Sequence, residues 1–394
     1  MISVEEALER LFALCPPPAE ERVSLRHAAG RVLAGDVVAG RDQPPFAASA
    51  MDGYAIREAD HVSGARLRVI GEAAAGKGFS GIVPVGGAVR IFTGAPVPEG
   101  AERVILQEDV AREADHIRLS GRLEERRNIR AAGQDFRVGD RIAAPRRLRP
   151  ADLALIAAMN VPEVAVARRP VVAFIPTGDE LVMPGETPGP DQIIASNSYA
   201  LAAMAEAEGA EARMLPIAQD DAGSLRFVLE LAADADLIVT IGGASVGDHD
   251  LIAPVTAAMG MERSFYKIAI QPGKPLMAGR LGRAALLGLP GNPVSSIVCG
   301  HVFMLPMLRA MQGLPAAPAA LLKARLAAPV EANGPRAHYM RARLGRDAQG
   351  ATIAPFGRQD SALLSVLSEA DALLVRPVND PAWGPGEEVD YLPL

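Results

Sequence analysis

Apolar and polar positions along this chain follow two rhythms, and the switches between them divide it. Val4, Leu8, Leu11 and Phe12 recur at helical spacing behind the capping box Ser3-Val4-Glu5-Glu6, and Pro16-Pro17-Pro18 stops that helix. A second short amphipathic helix is predicted over about residues 24–32. From residue 65 to 142 the pattern becomes short β-type runs (67–70, 88–92, 103–107, 116–119) between Gly and Pro turns, which predicts a small β-rich domain. Residues 150–158 read as helix again. The sequence therefore predicts a discontinuous helical domain, 1–40 plus 143–170, with the β-rich part, 41–142, inserted into it.

From Val171 the alternation is regular: strand 171–176, helix 198–208, strand 212–217, helix 223–233, strand 237–241. This order predicts a parallel α/β sheet over residues 171–313. Leu314-Pro315-Ala316-Ala317-Pro318 reads as a linker. Beyond it only β-type runs remain (321–326, 339–344, 352–354, 372–375, 389–392), so residues 314–394 form a small β domain. The fold class is multidomain α/β.

Candidate chemistry collects at the predicted strand ends. Gly242-Gly243-Ala244-Ser245-Val246-Gly247 follows an apolar strand. Glycines there admit the positive φ angles of an anion-binding nest, so Gly242, Gly243, Ser245 and Gly247 are expected to cradle a phosphate. Pro290, Gly291 and Asn292 follow another apolar strand and open a helix, with Asn292 suited to the N-cap and Pro293 to the first helical position. A helix N-terminus is a second anion seat. The chain has four lysines, and two of them, Lys267 and Lys274, flank Gln271-Pro272-Gly273.

Acidic turns follow three strands, at Asp179-Glu180, Asp220-Asp221 and Asp248 to Asp250. In a parallel sheet all three lie on one edge, beside the glycine loop. Carboxylates next to an anion repel it unless a cation stands between them, so Mg²⁺ bridging carboxylates and phosphate oxygens is the economical reading. Helix capping is the plainer role for Asp250 alone. In the inserted domain Asp52-Gly53-Tyr54 reads first as a turn. Thr93-Gly94 ends a strand, and Arg126, Arg127, Arg130 and Asp135 cluster near that domain's exit. Arg336, Arg341, Arg343, Arg358 and Ser361 could reach a neighbouring anion, although solvated strand faces account for most of them.

Bulk properties narrow the partners. A net charge of −7 and a pI near 5.5 argue against nucleic acid. Cys15 and Cys299 are too few for a disulfide framework, and the six histidines lack ligand spacing, so a reducing cytoplasm is the expected setting. No apolar run reaches the roughly 18 residues of a membrane span, and the N-terminus lacks an export signal.

Seven motifs in one order carry a resemblance: SAMDGYA (49–55), TGA (93–95), IPTGDEL (175–181), DD (220–221), GGASVGDHD (242–250), QPGKP (271–275) and GLPGNPVSS (288–296). Together they closely resemble the MoeA and gephyrin E-domain family over residues 2–394. The resemblance implies a MogA-like molybdopterin-binding domain at 171–313, dimerisation through the helical domain and a C-terminal β-barrel. It implies insertion of molybdenum in cofactor synthesis: adenylyl-molybdopterin and molybdate are the substrates, Mg²⁺ assists, and AMP leaves. By motif, Asp52, Thr93, Glu180, Asp250 and Lys267 take catalytic positions, and Asp220, Asp221 and Asp250 take metal positions. Lys274, Asp135, Arg336 and Ser361 join the substrate-binding set. The expected assembly is a homodimer, with one subunit's SAMDGYA region facing the other's sheet edge. A separate molybdopterin adenylyltransferase would donate substrate, and molybdoenzymes or their chaperones would receive the product. Gln271 departs from relatives with a basic residue there, which shifts oxyanion binding toward Lys274 or an arginine.

Two rival readings come from other classes. Gly243-Ala244-Ser245-Val246-Gly247 matches the nucleophile elbow of serine hydrolases, but the following segment is acidic and only His249, His301 and His338 lie downstream. A non-catalytic pterin-binding scaffold would keep the pocket without turnover.

Overall fold

The computed structural model describes residues 1–121, 124–243 and 251–394. The chain forms two compact units, Arg22–Val166 and the combination of Met1–Glu21 with Ala167–Leu394.

The first unit is built mainly of strands. Its larger sheet runs Arg103–Leu106, Gly53–Ile56, Gly87–Ile91, Arg66–Ala73, His116–Leu119, Val110–Glu113. Gly53 starts a strand and is no turn residue. A Cβ there would lie 1.8 Å from the Ile105 carbonyl oxygen, so glycine is required by the close approach of the neighbouring strand. Residues 24–32 differ from the predicted helix. They give the end of strand Glu20–Ser24, one 3₁₀ turn at Leu25–His27, and the start of strand Val32–Leu33. Gly30, at φ 72°, breaks the helical course. Leu33 is then drawn into a core with Ala28, Val37, Ile156, Val164 and Val166. Helix Pro150–Ala158 forms as expected, but around it stretches of the ranges grouped as a helical domain form the sheet Glu20–Ser24, Glu163–Ala167, Val32–Leu33, Arg146–Arg147.

The second unit centres on the sheet Glu211–Met214, Val171–Pro176, Leu237–Ile241, Ala284–Leu289, Met277–Leu281, Glu262–Tyr266. The first four strands are parallel, and Met277–Leu281 runs antiparallel to both its neighbours. Three central strands are buried along their whole length, which is why they read as apolar runs interrupted only by Thr240. Alternate residues feed opposite layers: Val172, Phe174, Val239 and Leu287 one core, Ala173, Ile175, Ile238 and Leu286 the other. The N-terminal helix Val4–Leu14 buries Val4, Ala7, Leu8, Leu11 and Leu14 in the first of these cores. It thus belongs to the unit of the central sheet, whereas the sequence grouping put it in one domain with residues 143–170.

Helix Pro293–Met311 has 19 residues, of which an 18-residue window has a mean hydropathy of 1.5, enough by length and composition to cross a membrane, yet 78% of that window is buried inside the protein. It is a core helix. The last strands close a five-stranded barrel in the order Leu322–Leu326, Gly350–Pro355, Ala337–Asp347, Ala372–Arg376, Glu388–Pro393 and back. Two residues upstream of the linker, Ile270–Gln271, add a parallel strand beside Ala337 and His338.

Because a side chain at residue 53 would meet backbone, relief requires moving a strand. Gly53→Ala is expected to destabilise by more than about 2 kcal/mol, read as a lower denaturation midpoint in urea.

Candidate active site

The parallel strands end together, and their loops close over one another. The Thr177 N–H donates to the Ile241 carbonyl at 3.0 Å, the Gly242 N–H to Leu289 at 3.1 Å, and the Gly178 N–H to Ala218 at 3.1 Å. Gly242 and Gly243 have φ of 104° and 59°, the left-handed backbone expected of them. Side chains would also collide there: a Cβ on Gly242 would lie 2.7 Å from the Thr177 carbonyl oxygen. The Gly242 N–H is spent on Leu289, so this part of the predicted cradle does not offer that donor to an anion.

These ends border a cavity of about 700 Å³ lined by Thr177, Gly178, Glu180, Asp220, Gly242, Gly243, Pro275, Pro290, Gly291 and Asn292, with Leu181, Ile193 and Ile194 on an apolar side. Glu180 folds back over Gly178, where a Cβ would sit 2.2 Å from its carboxylate. The two aspartates at 220 and 221 separate cleanly. Asp221 caps helix Ala222–Leu231, its Oδ1 accepting from the N–H groups of Gly223 and Ser224 at 2.8 and 3.1 Å. Asp220 lines the cavity, and its N–H is held by Asp179 Oδ1 at 2.9 Å. Of this predicted metal pair, Asp220 is the one placed for a ligand.

Asn292 occupies the N-cap position but does not cap with its side chain. Its Nδ2 instead donates to Ser361 Oγ at 3.1 Å, while the Val294 N–H donates to the Ser361 carbonyl at 3.1 Å. The predicted anion seat at this helix start is therefore partly filled by the barrel's own loop. Arg341 secures that loop. The residue is 1% exposed, far from the solvated strand face expected of it; its Nη1 donates to the Leu363 carbonyl at 3.1 Å, and its Nη2 is buried without a partner among the described residues. Gln359 bonds both the N–H and the carbonyl of Arg341.

Arg336 reaches Gln271, Nη2 to Oε1 at 3.0 Å, so a guanidinium stands beside the position that lacks a basic side chain. The adjacent His338 adds no charge near neutrality, because burial and the arginines at 336, 376 and 341 push its pKa down to about 4. Lys267 adopts φ 72°, a sparsely populated conformation for a non-glycine residue, and its Nζ lies 5.3 Å from the Tyr266 ring centroid. Lys274 is exposed.

In the other unit Asp52 and Thr93, singled out by separate motifs, meet. Asp52 Oδ1 accepts from the Thr93 N–H at 2.7 Å and from its hydroxyl at 2.8 Å. Those bonds, the backbone one foremost, hold the Asp52 carboxyl below its ordinary pKa. Asp135 lies in a separate cleft of about 460 Å³ with Arg41, Arg130 and Phe46. Ser245, Gly247, Asp248, His249 and Asp250 fall outside the described residues.

Sequence reasoning passed over Thr177 and Asn197. Thr177 is 7% exposed and its hydroxyl donates to Ile241. Asn197 Nδ2 donates to the Gly291 carbonyl at 2.7 Å. The only signal for the first was its place inside IPTGDEL.

Three family models cover the chain: MoeA N-terminal region (domain I and II) over residues 2–160, probable molybdopterin binding domain over 173–310, and MoeA C-terminal region (domain IV) over 323–394. A molybdopterin molybdenumtransferase of Nostoc is 33% identical over 100% of this chain and 94% of its own length. The chain belongs to the MoeA family. Among other relatives, molybdopterin molybdenumtransferase 2 of Mycobacterium tuberculosis is 36% identical over 90% of each chain. A crystal structure of the molybdopterin biosynthesis MoeA protein from Pyrococcus horikoshii superposes with a TM-score of 0.84 at 32% identity, covering 100% of this chain and 99% of the other. Except for Ala362, the residues lining the strand-end cavity fall within the match to the probable molybdopterin binding domain; Ala362 and Ser361 fall within that to MoeA domain IV.

The different contacts of the two neighbouring aspartates give a direct test. Asp221→Ala is expected to lose about 1 kcal/mol of stability with its cap, whereas Asp220→Ala, exposed and uncapping, should stay within about 0.5 kcal/mol of the parent; thermal unfolding of the pair checks this.

Proposed function

We propose that this protein inserts molybdenum during molybdenum cofactor synthesis, converting adenylyl-molybdopterin and molybdate to the cofactor with release of AMP. The observation that carries this reading is the strand-end cavity. It gathers Glu180, Asp220, the left-handed Gly242-Gly243 turn and Asn292 in one place, within a chain of the MoeA family.

The cavity's two characters suit the two ends of such a substrate. Leu181, Ile193 and Ile194 offer apolar surface to a flat heterocycle, and the strand-end polar groups suit a pyrophosphate. Molybdate is a tetrahedral dianion, for which Lys274, Ser361 and the Arg336–Gln271 pair supply charge and hydrogen bonds. Among the described residues no three acidic or histidine side chains form a closed metal cage. Mg²⁺ commonly uses one or two carboxylates plus substrate phosphates, so Asp220 and Glu180, which line the cavity, fit such a site, and the family resemblance adds Asp250 to the set. When bound, the ion supplies neutralisation of pyrophosphate charge. Lys267 then stabilises charge that develops as the phosphoryl linkage breaks, and ionised Asp52, oriented by Thr93, accepts a hydrogen bond or proton from the attacking group.

The family resemblance supports a homodimer in which Asp52 and Thr93 of one subunit serve the partner's sheet edge. It also supports a separate adenylyltransferase as substrate donor, molybdoenzymes or their chaperones as recipients, and a cytoplasmic setting.

AMP release from purified adenylyl-molybdopterin is expected to require both molybdate and Mg²⁺, and Asp220→Asn should lower kcat on the order of 10²-fold. Tight binding without release would instead mark a carrier or scaffold. A pH profile tests Asp52. Its pKa is depressed, so the ionised form persists to lower pH and activity falls only as pH drops through that lowered value. Thr93→Val removes one of the two bonds and should move the acid limb upward, toward the ordinary carboxylate range.

A further inference from the structure

We infer that Arg90 is a positioning residue that fixes the Asp52-Gly53 backbone, and through it the carboxylate of Asp52. The inference rests on the reading above that Asp52 serves the reaction.

Glycine at residue 53 is required by the neighbouring strand, and it leaves the backbone next to Asp52 without any side-chain packing to hold it. Hydrogen bonds must do that work. The Gly53 carbonyl accepts from Arg90 Nη1 at 3.0 Å, and the Asp52 carbonyl accepts from the Gln107 N–H at 3.1 Å. Arg90 Nη2 donates to Gln107 Oε1 at 2.6 Å, which closes a ring of contacts through Asp52, Gly53, Arg90 and Gln107.

The guanidinium is itself immobilised. Arg90 pairs across the sheet with Tyr54, and Phe92 lies two residues on along the same face. Its Cζ sits 5.1 Å from the Tyr54 ring centroid and 4.6 Å from that of Phe92. Tyr54 is 6% exposed, and its hydroxyl accepts from Arg112 at 3.1 Å, so the ring has little freedom. A planar fork that bonds two acceptors while stacking on rings is an arginine property that lysine cannot reproduce.

Three residues beyond Arg90 stands Thr93, the donor of both bonds to Asp52 Oδ1. Arg90 therefore ties the strand that carries the donor to the strand that carries the acceptor. Asp52 Oδ2 takes no hydrogen bond among the described residues, and the side chain is exposed, so one oxygen is oriented and the other remains open for a reacting group. The positive charge of Arg90 also favours ionised Asp52.

A sheet-stabilising arginine with no link to Asp52 would show different kinetics, and a double-mutant cycle separates the two. AMP release is measured for the parent, Arg90→Lys, Arg90→Met, Asp52→Asn and Arg90→Met with Asp52→Asn. Both Arg90 variants are expected to lose on the order of 10-fold in kcat, with KM for adenylyl-molybdopterin little changed. The double variant should be no slower than Asp52→Asn alone. Parent-like kcat in Arg90→Lys, or losses that multiply in the double variant, overturns the inference. If Arg90→Met does not fold, Arg90→Lys, which keeps stem and charge, is combined with Asp52→Asn in its place. An Asp52→Asn protein with full kcat overturns the reading of Asp52 itself, an outcome that the cycle distinguishes from failure of Arg90.

Discussion

A buried parallel strand cannot simply stop, because the peptide groups past its last ladder bond still need partners and water is excluded. Here three such strands end side by side, and each loop satisfies its neighbour: Thr177 binds Ile241, Gly242 binds Leu289, and Asn197 binds Gly291. That mutual satisfaction fixes the loops closely enough that glycine is obligatory at Gly242. It also decides what is left for a ligand. Main-chain donors are partly consumed within the fold, so recognition falls more heavily on Glu180, Asp220, Asn292 and the basic side chains around them.

The barrel contributes to the same edge by a comparable exchange. Asn292 forgoes its own helix to bond Ser361, and Val294 gives its N–H to the same residue. The loop carrying Ser361 is strapped in turn to the buried Arg341. A helix start that would ordinarily be solvated or capped locally becomes the place where two structural layers are joined.

Much of this was legible in the sequence, for identifiable reasons. Strands Val171–Pro176 and Leu237–Ile241 were clear because burial on both faces leaves apolar residues everywhere but Thr240, and Gly242-Gly243 was clear because positive φ and crowding both demand glycine. Asp52 and Thr93 were singled out separately by motif, and the hydrogen bonds between them were not foreseen. Short-range pattern failed where a long-range partner overrode it. Residues 24–32 have helical spacing, but Val32 and Leu33 are claimed by strands more than a hundred residues away. Gly53 looked like a turn because the strand that excludes its Cβ lies fifty residues downstream. Arg341 looked solvated because nothing local announces the closed barrel that buries it. The division of labour between Asp220 and Asp221 could not be read, since both precede a helix and only one geometry caps it.

The C-terminal barrel has the outline of a separable module, with its own closed ladder and its own small core. Yet Leu367, Leu373 and Leu392 belong to the same apolar cluster as Leu289, Val294 and the N-terminal helix, and Ile270–Gln271 is stitched to its longest strand. Shuffling this domain between proteins would strip a seam from the interior of the central sheet and leave Gln271 without its arginine. The barrel can diverge in its loops, but it cannot be traded as a unit: its inheritance is bound to that of the sheet it seals.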